Sequence, residues 1–280
     1  MEHEELNGQD NIVRSMFSGV LPSKVDIRDY IVKANLVYPT SFELDNLPSV
    51  KNQMSVSSCA AHSSSSVLEW FNEKETNEYR KLSTNFIYGM QGVEFNRMEK
   101  GMYLRDVCKI LQRYGDCLYE TIPMNTEMPT CYNNLSKNLN EDVYNEAAIC
   151  RIESYAKCTT DDAIKHALME YGPVIASIKW HDKYKMRDGI INFDTKSDSG
   201  YHAVMVYGFD ENGWLCQNSW GKIWGNGGRF ILPYDHGFRE AWSFVDAKNS
   251  DIHKPKRNTL FDIAYKFLNF IINWLKRNNE

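Results

Sequence analysis

The sequence predicts an α+β fold of two lobes with a cleft between them. Helical periodicity dominates the first half of the chain. From Pro173 onward the pattern changes to short apolar runs separated by Gly, Asn and Asp. Segregated helices and strands argue for α+β rather than alternating units, and a cleft between lobes is where binding sites collect. A third observation places chemistry there: Cys59 stands between a serine-rich turn and the start of an apolar helix.

Residues 1–37 read as an N-terminal extension, because S-G-V-L-P-S-K-V-D-I-R-D-Y at 18–30 is turn-rich and lacks a period. Pro39 to Gln53 reads as extended chain, with Pro48 as a breaker. A helix is predicted from Cys59 or Ala60 to about Glu75, with Val67, Leu68, Trp70 and Phe71 on its apolar face. Its four serines are weak helix formers, so burial rather than propensity must hold it. Leu104, Val107, Cys108, Leu111 and Tyr114 repeat at helical spacing, and Gly115 stands at the C-cap. Asp161 to Tyr171 is a short helix capped by Thr160 and stopped by Gly172-Pro173. V-I-A-S-I, A-V-M-V-Y, W-L-C-Q, R-F-I-L and W-S-F-V are strands. This divides the chain into an extension (1–37), a main domain (38–250) and a C-terminal stretch (251–280). The helical lobe covers about 54–150 and the β-rich lobe about 151–250.

The C-terminal stretch is a basic linker followed by an amphipathic helix over 259–277. Asp262, Lys266, Asn269, Asn273 and Lys276 form one polar stripe. The apolar portion is too short and too interrupted for a simple membrane span. Lys254, Lys256, Arg257, Lys276 and Arg277 flank it, which suits docking on the domain, contact with a partner protein or in-plane contact with anionic headgroups.

The chain has 280 residues, 42% apolar and 25% charged, with a formal net charge of -5 and no long charged block. It lacks the basic footprint of a nucleic-acid binder. Seven cysteines without a CxxC pair argue against a structural zinc. The odd count leaves at least one thiol free in a monomer. The polar start M-E-H-E-E-L-N-G-Q-D has no apolar segment of a secretory signal. An intracellular or virion-associated setting is therefore expected, with peripheral membrane contact through the C-terminal helix. The sequon at Asn134 is read as a chance match.

A cysteine nucleophile needs a thiolate, and a helix N-terminus lowers the thiol pKa to roughly 3.5–7.5. It also needs a base and a group that orients the base. His62 shares the helix of Cys59 and is poorly placed to work across a cleft. His202 opens the strand Y-H-A-V-M-V-Y-G-F at a lobe edge. Sixteen residues on stands Asn218, in C-Q-N-S-W-G-K-I-W-G-N-G-G. Its amide can accept the imidazole N–H and set the tautomer, and a neighbouring tryptophan would shield that bond from water.

K-N-Q-x5-C, then H-A-V-M-V-Y-G-F, then Q-N-S-W-G-x-x-W-G-x-x-G resembles the papain-like cysteine peptidases over roughly residues 38–247. The resemblance implies the papain-like two-lobed fold, a helical N-terminal lobe against a β-barrel-like C-terminal lobe, with the site in the cleft. It implies Cys59 as nucleophile, His202 as base and acid, and Asn218 as the orienting amide. Gln53 would donate to the oxyanion together with the Cys59 N–H, and Trp220 would shield the site. Gly101 would offer an edge on which a substrate backbone adds as a strand, and Ala203 would touch substrate. No metal or cofactor is implied, and the partner is a peptide or protein substrate.

Three departures stand out. The family usually has a glycine after the glutamine, a cysteine three before the nucleophile and a tryptophan after it. This chain has Met54, Val56 and Ala60. Upstream, L-P-S-K-V-D-I-R-D-Y resembles the short leaders of bacterial and viral relatives. The resemblance implies a thiol endopeptidase. The same residues also admit a catalytically silent scaffold with a binding or virion-structural role, or a thioester-forming transpeptidase or amidase.

Overall fold

The structure, a computed structural model, describes residues 19–26, 29–33, 37–123 and 126–246. The amphipathic stretch expected over 259–277 lies outside them. Among the described residues no helix is long and apolar enough to cross a membrane.

The helical half follows two short strands, β1 (Val20–Leu21) and β2 (Phe42–Glu43). It consists of α1 (Cys59–Thr76), α2 (Thr84–Phe95), a short β3 (Met102–Tyr103), α3 (Leu104–Arg113), α4 (Thr130–Asn138) and α5 (Glu141–Ala147). The β-rich half holds β4 (Ile152–Cys158), α6 (Asp161–Glu170), β5 (Val174–His181), β6 (Tyr184–Arg187), β7 (Ile190–Phe193), β8 (Ser199–Phe209), β9 (Trp214–Gln217), β10 (Arg229–Leu232) and β11 (Glu240–Asp246).

Helix α1 begins at Cys59 as the pattern predicts, and it is buried from Cys59 through Asn72. Its serines bond backward: the Ser63 hydroxyl donates to the Cys59 carbonyl (3.0 Å) and that of Ser64 to the Ala60 carbonyl (2.7 Å). These bonds satisfy hydroxyls that would otherwise be costly to bury. The predicted caps are also present. The Thr160 hydroxyl accepts from the Ala163 N–H (3.1 Å), and Gly115 follows α3 at φ +81.

Sequence reading misses α2, and the reason is physical. Its two glycines, Gly89 and Gly92, look like breakers. A Cβ on Gly89 would come within 2.7 Å of Leu135, and one on Gly92 within 2.5 Å of Tyr132. The glycines let α4 lie close against α2. Because α2 is buried on nearly every side, it shows no amphipathic period. Helices α4 and α5 and strands β4, β6 and β7 also escape the sequence pattern.

Nine strands form one sheet in the order β4-β11-β5-β8-β9-β10-β7-β6, with β2 added on β8. Strand β8 pairs antiparallel with β5 from Val174↔Val206 to His181↔Ser199. This corrects the expected position of His202. It does not open its strand but stands fourth, because Ser199–Tyr201 continue the ladder against Lys179–His181. Helix α1 rests against β8, so the helical half delivers Cys59 to the strand that carries His202. Two apolar cores flank this contact. One gathers Leu68, Phe86, Ile87, Leu111 and Leu135, and the other Ile178, Trp180, Phe209, Trp214 and Phe230.

Candidate active site

Cys59 occupies the first turn of α1, where the helix dipole favours a negative sulfur. Its Sγ accepts from two backbone N–H groups, Gly19 at 3.3 Å and Ala203 at 3.4 Å. Ala203 follows His202 in β8, so the sulfur lies against the backbone that carries the imidazole. Within the cleft, His202 Nε2 bonds Asn218 Oδ1 at 2.7 Å. Its Nδ1 is buried and has no hydrogen-bond partner. The ring stands 4.7 Å from Trp220 and 5.2 Å from Trp180, centroid to centroid. Trp180, which sequence reading did not single out, forms an edge-on wall of this aromatic cage.

Gln53 lies beside them. Its amide donates to the Val56 carbonyl (2.9 Å), and its carbonyl oxygen accepts from the Ser219 hydroxyl. The Gln53 N–H donates to the Ser219 carbonyl (2.8 Å), and Asn52 bridges Trp220. The segment that approaches Cys59 is thus stitched to the loop that carries Asn218 and Trp220.

The cleft is covered by the protein's own chain. Val20 and Leu21 pair in parallel with Met102 and Tyr103, and the Met102 N–H donates to the Gly19 carbonyl (2.8 Å). Gly19 is pressed against the turn before Cys59, where an added Cβ would come within 2.1 Å of the Ser57 carbonyl oxygen. The glycine edge at Gly101 is therefore already taken, at φ +84 and with the Gly19 carbonyl against it. Further along, Arg105 donates to the Asp29 carboxylate and the Lys24 carbonyl. The Ser23 N–H donates to Glu240 (3.2 Å), and Val32 and Tyr30 exchange backbone bonds with Lys157 of β4.

This cover sets the electrostatics. The sequence predicts a depressed thiol pKa. Instead, burial pushes Cys59 up to about 11, against the N–H groups of Ala203 and Gly19, which favour the thiolate. Burial likewise pulls His202 down to about 4, against its bond to Asn218. With solvent excluded, the neutral thiol and neutral imidazole win.

The profile of the papain family of cysteine proteases matches residues 38–237. The chain belongs to that family. An uncharacterised peptidase C1-like protein of Acanthamoeba polyphaga mimivirus is 25% identical over 210 residues, 66% of this chain and 64% of that protein. Mouse cathepsin K is 27% identical over 232 residues, 80% of this chain and 63% of that protein. The match thus spans a little under two thirds of each relative. Xylellain, a cysteine protease of Xylella fastidiosa, has the same fold at a TM-score of 0.71 and 23% identity, covering 83% of this chain and 97% of that one.

Against the papain-family pattern, the three departures have clear structural outcomes. Met54 takes the left-handed conformation, φ +53, where the family usually has glycine. Its N–H is held by the Asn52 side chain (2.9 Å). Val56 is buried in the helical core in place of a disulfide cysteine, and Ala60 is fully buried. Glu127 does part of the work of the absent bridge. It accepts from the Ser57 N–H (2.9 Å), the Tyr88 hydroxyl (2.5 Å) and the Met128 N–H (3.1 Å). Nothing in the sequence around Glu127 marks it, because its partners are 70 and 39 residues away.

Proposed function

We propose that this chain is a cysteine endopeptidase that hydrolyses peptide bonds through a thioester on Cys59. His202 carries the reading. One ring nitrogen is committed to Asn218, and the other is buried without a partner on a residue whose neighbour touches Cys59 Sγ. An imidazole held this way accepts the thiol proton at Nδ1 while Asn218 keeps Nε2 protonated. The sulfur attacks the substrate carbonyl. The Cys59 N–H and the Gln53 amide stabilise the oxyanion, each such donor contributing roughly 2.7–4 kcal/mol in the transition state. His202 then protonates the leaving amine and activates the water that opens the thioester. Trp220 and Trp180 keep solvent from the imidazole. Ala203 and the edge at Gly101 face the substrate backbone, whose sequence preference is set by pockets beyond these residues.

In this reading the extension is a regulatory leader. It fills the edge that substrate needs, and a substrate must displace it. Replacing Gly19 with leucine puts a side chain where the Ser57 carbonyl stands and should open the cleft. Residues 259–277, outside the described residues, would contact a membrane surface or a partner, and flotation of the full chain with anionic liposomes tests that role.

A cysteine protease of Carica candamarcensis has been solved in complex with E-64, and its fold matches this one at a TM-score of 0.55. The same epoxide tests the present chain. Label should map to Cys59, not to the other six buried thiols, and Gly19→Leu should react faster than wild type. Label on another cysteine, or a folded Gly19→Leu protein that takes none, overturns the reading. Equal rates in the two proteins overturn the leader's role.

A further inference from the structure

We infer that His62 is a positioning residue for the oxyanion hole, an inference that rests on the cysteine-peptidase reading above. His62 is one turn into α1 and 3% exposed. Its Nδ1 lies 2.9 Å from the Ser58 carbonyl oxygen and 3.1 Å from the Ser58 hydroxyl. Either neutral tautomer holds Ser58. With the proton on Nδ1, the ring donates to the Ser58 carbonyl. With the proton on Nε2, Nδ1 accepts from the Ser58 hydroxyl.

The residue it grips is not arbitrary. The Ser58 carbonyl and the Cys59 N–H belong to one peptide unit. In a trans peptide the two groups point in opposite directions, so fixing the carbonyl aims the N–H. The Ser58 carbonyl already accepts the first helical bond, from the His62 N–H (3.0 Å). In the Nδ1–H tautomer the ring gives the same oxygen a second bond, which restrains rotation of the plane and polarises the N–H as a donor. One imidazole therefore fixes the peptide plane that carries the backbone oxyanion donor.

Ser58 shows the arrangement from its own side. It sits at the N-cap, φ -116 and ψ 25, yet its side chain caps no helical N–H. The hydroxyl is turned to His62 instead. A helix N-terminus left without its side-chain cap is normally less stable.

The test compares two readouts in the full-length protein. Turnover of a peptide anilide and binding of a peptide aldehyde both place an oxyanion between Cys59 N–H and Gln53. Alkylation by iodoacetamide uses the same sulfur without one. His62→Phe should lower kcat about tenfold or more with little change in KM, a fraction of the 10²–10³ that loss of a whole donor costs. Aldehyde affinity should fall in parallel, while the alkylation rate stays within about twofold. His62→Asn, whose amide reaches where Nδ1 does, should recover most of both losses. His62→Gln, one methylene longer, should not. Turnover and alkylation falling together, or unchanged turnover, overturns the inference. If His62→Phe does not fold, the Asn and Gln variants decide, and equal turnover in those two overturns it. Failure of the underlying reading looks different: wild-type protein would show neither turnover nor alkylation of Cys59.

Discussion

The two sides of the cleft are held by different physics. On the Cys59 side a turn is clamped by polar contacts. Asn52 holds Met54, Gln53 holds Val56, Glu127 holds Ser57 and His62 holds Ser58. On the His202 side the polar content is a single bond to Asn218, and the ring is fixed mainly by Trp180 and Trp220. Trp224 and Phe230 back the tryptophans at ring distances of 5.3–5.9 Å. Hydrogen bonds fix backbone planes, which the nucleophile side needs because its donors are partly N–H groups. Aromatic packing fixes a side-chain rotamer without charging it, which the base side needs. Deleting one contact should therefore have unequal effects on the two sides.

The largest effect breaks the chemistry itself. Cys59→Ala should abolish turnover with the fold retained, and His202→Ala should cost about 10²–10⁴-fold in kcat, the range of a general base. Asn218→Ala should lose at least about tenfold less than His202→Ala, because the tryptophans still cage the ring. Steady-state kinetics with circular dichroism as a folding control checks this. Equal losses in His202→Ala and Asn218→Ala would mean that packing does not hold the ring.

Acid comes next. Burial lowers His202 to about 4 and His62 to about 3 from 6.5, the Lys51 ammonium adding to the shift of His62. Both rings bind protons less readily folded than unfolded, so the unfolded chain gains protons first. The stability they contribute is present above pH 6.5 and is lost as pH falls through about 4 and then 3. Urea unfolding across that window should show a falling stability, with a shallower slope in His62→Asn. A slope unchanged in that variant would remove His62 from the account.

Glu127→Ala should cost about 2 kcal/mol, because it leaves the Ser57 N–H and the Tyr88 hydroxyl without their acceptor. Thermal melts read the loss. The smallest effect is a gain. Met54→Gly relieves left-handed strain of roughly 1–2 kcal/mol but loosens the unfolded chain by about 0.4–1 kcal/mol, for a net stabilisation of up to about 1.6 kcal/mol. A loss of stability there would show that the Met54 side chain contributes packing beyond its backbone cost.

Much of this site can be read from the sequence because catalysis confines chemistry to short motifs. The start of α1 at Cys59, the caps of α3 and α6 and the pairing of His202 with Asn218 all rest on residues near one another in the chain. What escapes is what depends on distant partners. Glu127 meets Ser57 only after folding, and Trp180 becomes a cage wall only because β5 pairs with β8. The glycines of α2 read as breakers until α4 is seen lying on them. The thiol pKa reads as low from its helix position and is high because the sulfur is buried, against the pull of the Ala203 and Gly19 N–H groups.

That glycine has one more consequence. The resident peptide meets Cys59 with a hydrogen, not with a carbon. Gly19 offers its N–H to the sulfur at 3.3 Å, while its carbonyl oxygen is engaged by the Met102 N–H. In the proposed chemistry attack needs a carbonyl carbon where this N–H stands. The resident peptide would have to turn before the sulfur could cut it there.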